Sequence, residues 1–381
     1  MPRFGMPARQ AVVGAVVILA LVALAGVLRS ADPLAKGALP TPLDGSSPTD
    51  AAALASGPTP GPICAGRFEL PSGTSGRAVV PICTNRDLAV GDPSATRLVV
   101  VVHGDGRNAP GYFDDVLRAA ATSAVTDVVV VAPQFATRSD LRGQGIDGLS
   151  SWSSESWKSG DRSRSDGDQG RVSSFDVVDA LITDIVDSGR FPAIQTVIVA
   201  GHSAGGQFVN RYAAASPVDQ AIRKPGVALR FVVANPSSYL YFDDRRVDDQ
   251  GVFAVPSEAD REGCRHYDDY KYGLGARNEY LAQSSTDLIT ARYATRVVTY
   301  VAGALDTDPQ DPTMDRSCAA RLQGVDRLTR ARNYVASLTA IFGPGVLERH
   351  RLIEIPGIGH DGGAILNDPL VRPWLLGSGD R

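Results

Sequence analysis

The pentapeptide Gly201-His202-Ser203-Ala204-Gly205 places a serine among small residues, directly after the β-branched run Thr196–Ala200 and before a helix-forming stretch. A sharp strand-to-helix turn of this kind lifts a serine oxygen above a sheet, and its neighbours must be small because backbones approach closely there. The chemistry open to such a serine is nucleophilic attack on a carbonyl. A hydroxyl is a weak nucleophile at neutral pH, so it needs a base within hydrogen-bond reach and a carboxylate to orient that base. Of the five histidines, His202 lies inside the turn with its ring expected to point away from the serine oxygen, and His103 belongs to a separate His-Gly motif. His266 sits in an insertion beside Cys264, and His350 precedes the last strand. That leaves His360, which ends Pro356-Gly357-Ile358-Gly359-His360, where the glycines permit a tight loop back over a sheet. For the acid, the run Val297–Val301 leads into Ala302-Gly303-Ala304-Leu305-Asp306-Thr307-Asp308, with Asp306 the candidate and Asp308 the runner-up. A calcium loop is the rival reading of this acidic run, and Pro309 and the missing central glycine oppose it. The fourth element is Val102-His103-Gly104-Asp105-Gly106. Backbone N–H groups there, with that of Ala204, suit an oxyanion, and the sequence leaves the choice between Asp105 and Gly106 open.

These groups need a scaffold. Six β-branched runs, Leu98–Val102, Val128–Ala132, Thr196–Ala200, Phe231–Ala234, Val297–Val301 and Arg351–Ile355, read as strands buried on both faces. They alternate with helical patterns, the signature of a mostly parallel, doubly wound α/β sheet with helices on both faces. Ser173 caps a helix whose Phe175, Val178, Ile182 and Ile185 share one face and whose end falls at Gly189. A second helix is expected from about Ala319 to Phe342, its many arginines on a solvated face. Strands near Arg67–Leu70 and Arg77–Val80 begin the sheet. Each of the four chemical motifs lies just past the C-terminal end of a different strand, where open α/β sheets place their ligands. Two stretches, 136–172 and 237–288, are too long for simple connections and read as lid-like insertions. Trp152, Trp157 and Tyr239 within them are candidates for an acyl or aromatic pocket, with packing of the insertions onto the core as the competing reading. Gly357-Ile358-Gly359-His360-Asp361-Gly362 formally matches a dinucleotide fingerprint, but only 19 residues follow it, too few for the βαβ unit that motif requires.

The order Ser203, Asp306, His360, with the His-Gly turn upstream, resembles the α/β-hydrolase superfamily over residues 66–375. Within it the chain is similar to secreted esterases of the polyhydroxyalkanoate depolymerase and feruloyl esterase type. It departs from the HGGG pattern of hormone-sensitive-lipase relatives, because Asp105 stands where a glycine would be. The resemblance implies a cofactor-free, metal-free serine hydrolase acting on small or polymeric carboxylic esters. An amidase or peptidase, a cofactor-free haloperoxidase and a catalytically silent surface protein share the same constellation.

Residues 11–28 are an unbroken apolar run flanked by Arg3, Arg9 and Arg29, which suits a cleaved signal peptide or a single membrane anchor within residues 1–30. The stretch 31–62, with seven prolines, reads as an unfolded linker, leaving 63–381 as the hydrolase domain. The four cysteines all lie on the exported side of that run, and an even count there reads as two disulfides. Cys64–Cys83 and Cys264–Cys318 is the favoured pairing of the three. No pair has zinc-site spacing. A formal charge of −4 gives no long-range attraction to nucleic acid or to anionic lipid, so membrane contact is expected only through an uncleaved N-terminal segment.

Overall fold

The structure, a computed structural model, describes residues 62–73, 76–165, 170–248 and 250–379. The apolar run 11–28 and the linker up to residue 61 lie outside the described residues, within which no helix is long and apolar enough to cross a membrane. The strands in chain order are β1 (Gly66–Gly73), β2 (Gly76–Thr84), β3 (Arg97–Val102), β4 (Val128–Pro133), β5 (Thr196–His202) and β6 (Ala228–Ala234). A short ribbon, β7 (Arg246–Val247) and β8 (Phe253–Ala254), sits in the second insertion, before β9 (Val297–Gly303) and β10 (His350–Ile355). Eight of them form one sheet in the order β1-β2-β4-β3-β5-β6-β9-β10. The β1–β2 and β2–β4 pairs are antiparallel and the other five parallel. This is the α/β-hydrolase fold.

The valine-rich strands have no solvent face because both faces are covered. Along β3, Leu98, Val100 and Val102 enter one core while Val99 and Val101 enter the other. The first core is covered by the helices Ser174–Asp187, Ala204–Ala215 and Arg327–Phe342, and the second by Ala109–Thr122, Gly362–Asn367 and Arg372–Leu375. Ser173 caps its helix through a capping box with Asp176, and Gly189 follows the helix end at φ 75°. The expected helix 319–342 is instead two, Cys318–Arg321 and Arg327–Phe342. They are parted at Gly324, φ 143°, after which the Asp326 carboxylate caps the second helix on Thr329 N at 2.7 Å. Its arginines are not all solvated either: Arg327 and Arg330 are buried.

Two disulfides are formed, Cys64–Cys83 and Cys264–Cys318. The first ties the segment before β1 to the end of β2. The second ties the second insertion to the Cys318–Arg321 helix. After β4 the chain crosses to β5 on the far side of β3, so the ends of β3 and β5 flank the point where the winding reverses. A crevice opens there in sheets of this type.

Candidate active site

Ser203 stands at the end of β5 and caps the Ala204–Ala215 helix with φ 58° and ψ −120°. A non-glycine residue rarely holds this conformation, and holding it costs on the order of 1–3 kcal/mol. The turn is fixed by Ser203 N donating to Ala234 O at 2.9 Å and by contacts that leave no room for side chains. A Cβ on Gly205 would lie 2.2 Å from Val102 O, one on Gly206 2.5 Å from Ala234 O, and one on Gly201 2.4 Å from Gly205 O.

His360 Nε2 lies 2.9 Å from Ser203 Oγ, and His360 Nδ1 lies 2.7 Å from Asp306 Oδ2. The three side chains come from the loops after β5, β9 and β10, and the two later loops are interlocked. Leu305 N donates to Ile358 O at 2.9 Å, and a Cβ on Gly303 would fall 2.3 Å from Gly359 O. Asp306 is buried, and burial by itself would raise its carboxyl pKa. The hydrogen bond and charge of His360, the Asn235 amide and the Arg327 guanidinium outweigh that and hold the carboxyl below its ordinary value. Asn235 Nδ2 donates to Oδ2, and Arg327 Nη1 to Oδ1 at 3.1 Å. Asp308 is exposed and accepts from Gln310 N at 2.8 Å, so it takes no part in this chain of contacts.

The His-Gly turn after β3 is oriented from behind. His103 is completely buried, and burial pushes its imidazole down to about 4, so the ring is neutral. Its Nε2 accepts from Phe135 N at 3.0 Å, which leaves Nδ1–H to donate to Gly104 O at 2.9 Å. Arg107 N donates to the same oxygen at 3.0 Å. In a trans peptide the C=O and the following N–H point in opposite directions. With Gly104 O held on the His103 side, the Asp105 N–H faces the other way. Asp105 and Ala204 both line a cavity of about 260 Å³ at Ser203, whereas Gly106 does not. His202 makes no hydrogen bond to Ser203. Its Nδ1 meets the Tyr112 hydroxyl at 3.0 Å, its ring centroid lies 4.6 Å from that of His360, and burial first, then the neighbouring His360, drive its pKa well below 6.5.

Trp152, Trp157 and Tyr239, candidates for an acyl or aromatic pocket or for packing onto the core, are fully buried. Trp157 stacks on Phe135 at 5.8 Å and packs 4.6 Å from His103, behind the His-Gly turn, while Trp152 meets Phe135 edge-on. Tyr239 stacks on Tyr334 at 4.4 Å. Rings this large contribute most when removed from water altogether, and here they anchor the insertions to the core. The cavity wall is made by polar side chains that the sequence did not single out, among them Lys158, Gln207, Ser237 and Lys271. Asn235 was also missed, although it immediately follows β6 and so occupies the same position, just past a strand end, that flagged the other site residues. Arg327 carried no signal, since its sequence context is that of a surface helix. Among the described residues no cluster of His, Cys, Asp and Glu could hold a metal ion.

Residues 99–372, well over half of the chain, match the alpha/beta hydrolase family. The chain belongs to that family. The hydrolase is similar in structure to LpqC, a poly(3-hydroxybutyrate) depolymerase from Bordetella parapertussis, with a TM-score of 0.52 and 23% identity over 81% of this chain and 90% of that one. It is also similar to poly(aspartic acid) hydrolase-1 from Sphingomonas sp. KT-1, with a TM-score of 0.52 and 21% identity over 80% of this chain and 96% of that one. At such identities the likeness is one of fold. No curated protein matches the hydrolase in sequence.

Proposed function

We propose that the hydrolase is an exported serine esterase that cleaves carboxylic esters through an acyl-enzyme on Ser203. The observation that carries this reading is the unbroken contact chain Ser203 Oγ, His360 Nε2, His360 Nδ1, Asp306 Oδ2. Ser203 Oγ attacks the ester carbonyl as its proton passes to His360 Nε2. Asp306 keeps Nδ1 protonated and stabilises the imidazolium that forms. The developing oxyanion takes hydrogen bonds from the N–H groups of Ala204 and Asp105. Each such donor is worth roughly 2.7–4 kcal/mol of barrier. His360 then returns the proton to the departing alcohol oxygen. Water, deprotonated by His360, attacks the acyl carbon, and as the acyl–oxygen bond breaks His360 returns that proton to Ser203 Oγ, releasing the carboxylic acid. Two disulfides among the described residues fit an oxidising compartment and so support export.

The test is hydrolysis of p-nitrophenyl esters from acetate to palmitate, with Ser203→Ala alongside and a fluorophosphonate probe for the nucleophile. Loss of at least about 10⁴-fold in kcat and loss of labelling in the variant are expected. A folded variant that keeps most of its activity would refute the mechanism.

A further inference from the structure

The cavity at Ser203 is charged rather than greasy. Lys158, Lys271 and Arg316 line it together with Asp105, Glu155 and Asp315. The three acids are already engaged. Asp105 and Glu155 each meet Lys158 Nζ at 2.7 Å, and Glu155 also faces Lys271 Nζ at 3.3 Å. Asp315 accepts from the Tyr272 hydroxyl at 2.9 Å and the Ser238 hydroxyl at 3.3 Å, and its other oxygen accepts from Ser317 N at 3.1 Å. The cations are unevenly satisfied. Lys158 has two carboxylates and Lys271 has one long contact, while Arg316 is exposed and makes no hydrogen bond or ion pair among the described residues.

A seventh charge lies behind the floor. Arg211 is fully buried on the Ala204–Ala215 helix, and its acceptors are all neutral: Lys158 O, Lys271 O, Gln207 Oε1 and Ser238 Oγ, at 3.0 to 3.4 Å. The six lining charges cancel, and Arg211 stands behind the floor as a buried cation with no carboxylate partner. Arg211 also fixes the geometry, because it clamps the backbone at Lys158 and Lys271 and so holds both insertions at the cavity wall. An alkyl chain entering here would strip water from charged groups and offer them no partner.

We infer that this cavity selects esters bearing a carboxylate, which Lys271 and Arg316 receive while Ser203 attacks the ester carbonyl. The inference rests on the serine-esterase reading and narrows its substrates to esters of hydroxyacids or of dicarboxylic acids. The planar guanidinium of Arg316 can take a carboxylate by two parallel hydrogen bonds, and Lys271 supplies a point charge beside it.

The test compares acid and amide forms of two small esters with the full-length, disulfide-bonded chain. In O-butyryl lactate the carboxylate is on the alcohol side, and in monophenyl adipate it is on the acyl side. Each is paired with its N-methylamide. The carboxylate form is expected to be favoured about tenfold in kcat/KM in at least one pair, as befits charge-assisted hydrogen bonds. That ratio should fall toward one in 0.5 M salt, roughly where the Debye length shrinks to a few ångströms. In Lys271→Gln/Arg316→Gln the ratio should also fall toward one, while Arg332→Gln, whose partner is Glu354, should keep it. Equal or better turnover of both amides by the unaltered protein overturns the inference and leaves the esterase reading standing, whatever the variants do. If no ester is turned over, the esterase reading fails and calorimetric titration with adipate decides the subsite alone. Binding that weakens about tenfold in the double variant supports it, and absence of binding to the unaltered protein overturns it.

Discussion

Replacing Arg327 by Met tests whether Asp306 is held by charge as well as by geometry. The guanidinium is 1% exposed, donates to Asp306 Oδ1 at 3.1 Å, and meets Asp311 Oδ1 at 3.2 Å and Thr313 Oγ1 at 2.7 Å. Met fills a similar volume, so lost packing is a minor part of the change. The larger part is a buried carboxylate left without its cation, for which about 3–5 kcal/mol is typical. Asp306 keeps Asn235 and His360, which argues for the lower end, about 3 kcal/mol. For a domain of about 320 residues that corresponds to a fall in Tm of about 4–5 °C. The sign with pH follows from the carboxyl. Its folded pKa lies below 3.8, so its contribution is complete above 3.8 and is lost as pH falls through the folded value. Without Arg327 the folded value rises, so acid unfolding moves to higher pH. Differential scanning calorimetry across a pH series measures both effects. Arg332→Met on the same helix is the control, since its partner Glu354 is in an exposed pair, 56% and 33% accessible, worth under about 1 kcal/mol. Equal Tm shifts in the two variants, or an unmoved pH of acid unfolding in Arg327→Met, would refute the reasoning.

Three further outcomes are expected. Gly205→Ala puts a methyl 2.2 Å from Val102 O and 2.6 Å from His103 O, both backbone, so the His-Gly turn must shift; kcat should fall at least about 100-fold, the scale of one lost oxyanion donor, with stability down about 1–3 kcal/mol in a denaturant titration. Reducing Cys264–Cys318, which closes a span of 54 residues, should cost on the order of 4 kcal/mol by chain entropy, against about 3 for Cys64–Cys83 with its span of 19, measured by the Tm of the paired Cys→Ser variants. His103 and His350 are each pushed down to about 4 by burial, so the unfolded chain binds their protons first as pH falls below about 6.5. Stability should decline from there toward pH 4, and His103→Phe should flatten the slope in urea titrations while lowering kcat through the freed Gly104–Asp105 peptide.

What the sequence determined by itself is local. Runs such as Val128–Ala132 read as strands buried on both faces, because they are short, β-branched and carry no polar residue for a solvated face. The glycines around Ser203 report a turn whose backbone admits no Cβ, and the position of each motif after a strand end brings Ser203, Asp306 and His360 to one edge. That the four cysteines form two disulfides was legible from their even count, while which pairs with which was decided by the structure, because four cysteines allow three connectivities. Only the tertiary structure decided what depends on atoms distant in the chain. Arg327 and Arg332 sit five positions apart on one helix with the same local propensity, yet one neutralises Asp306 and the other pairs at the surface. Trp157 could by sequence have been a pocket wall or a packing residue, and it is a support behind His103. The same holds for the floor of the cavity, where Arg211 reaches Lys158 O across 53 residues and Lys271 O across 60. Burial and charge pairing are properties of the packed chain, set by which surfaces meet, and periodicity along the sequence carries no record of them.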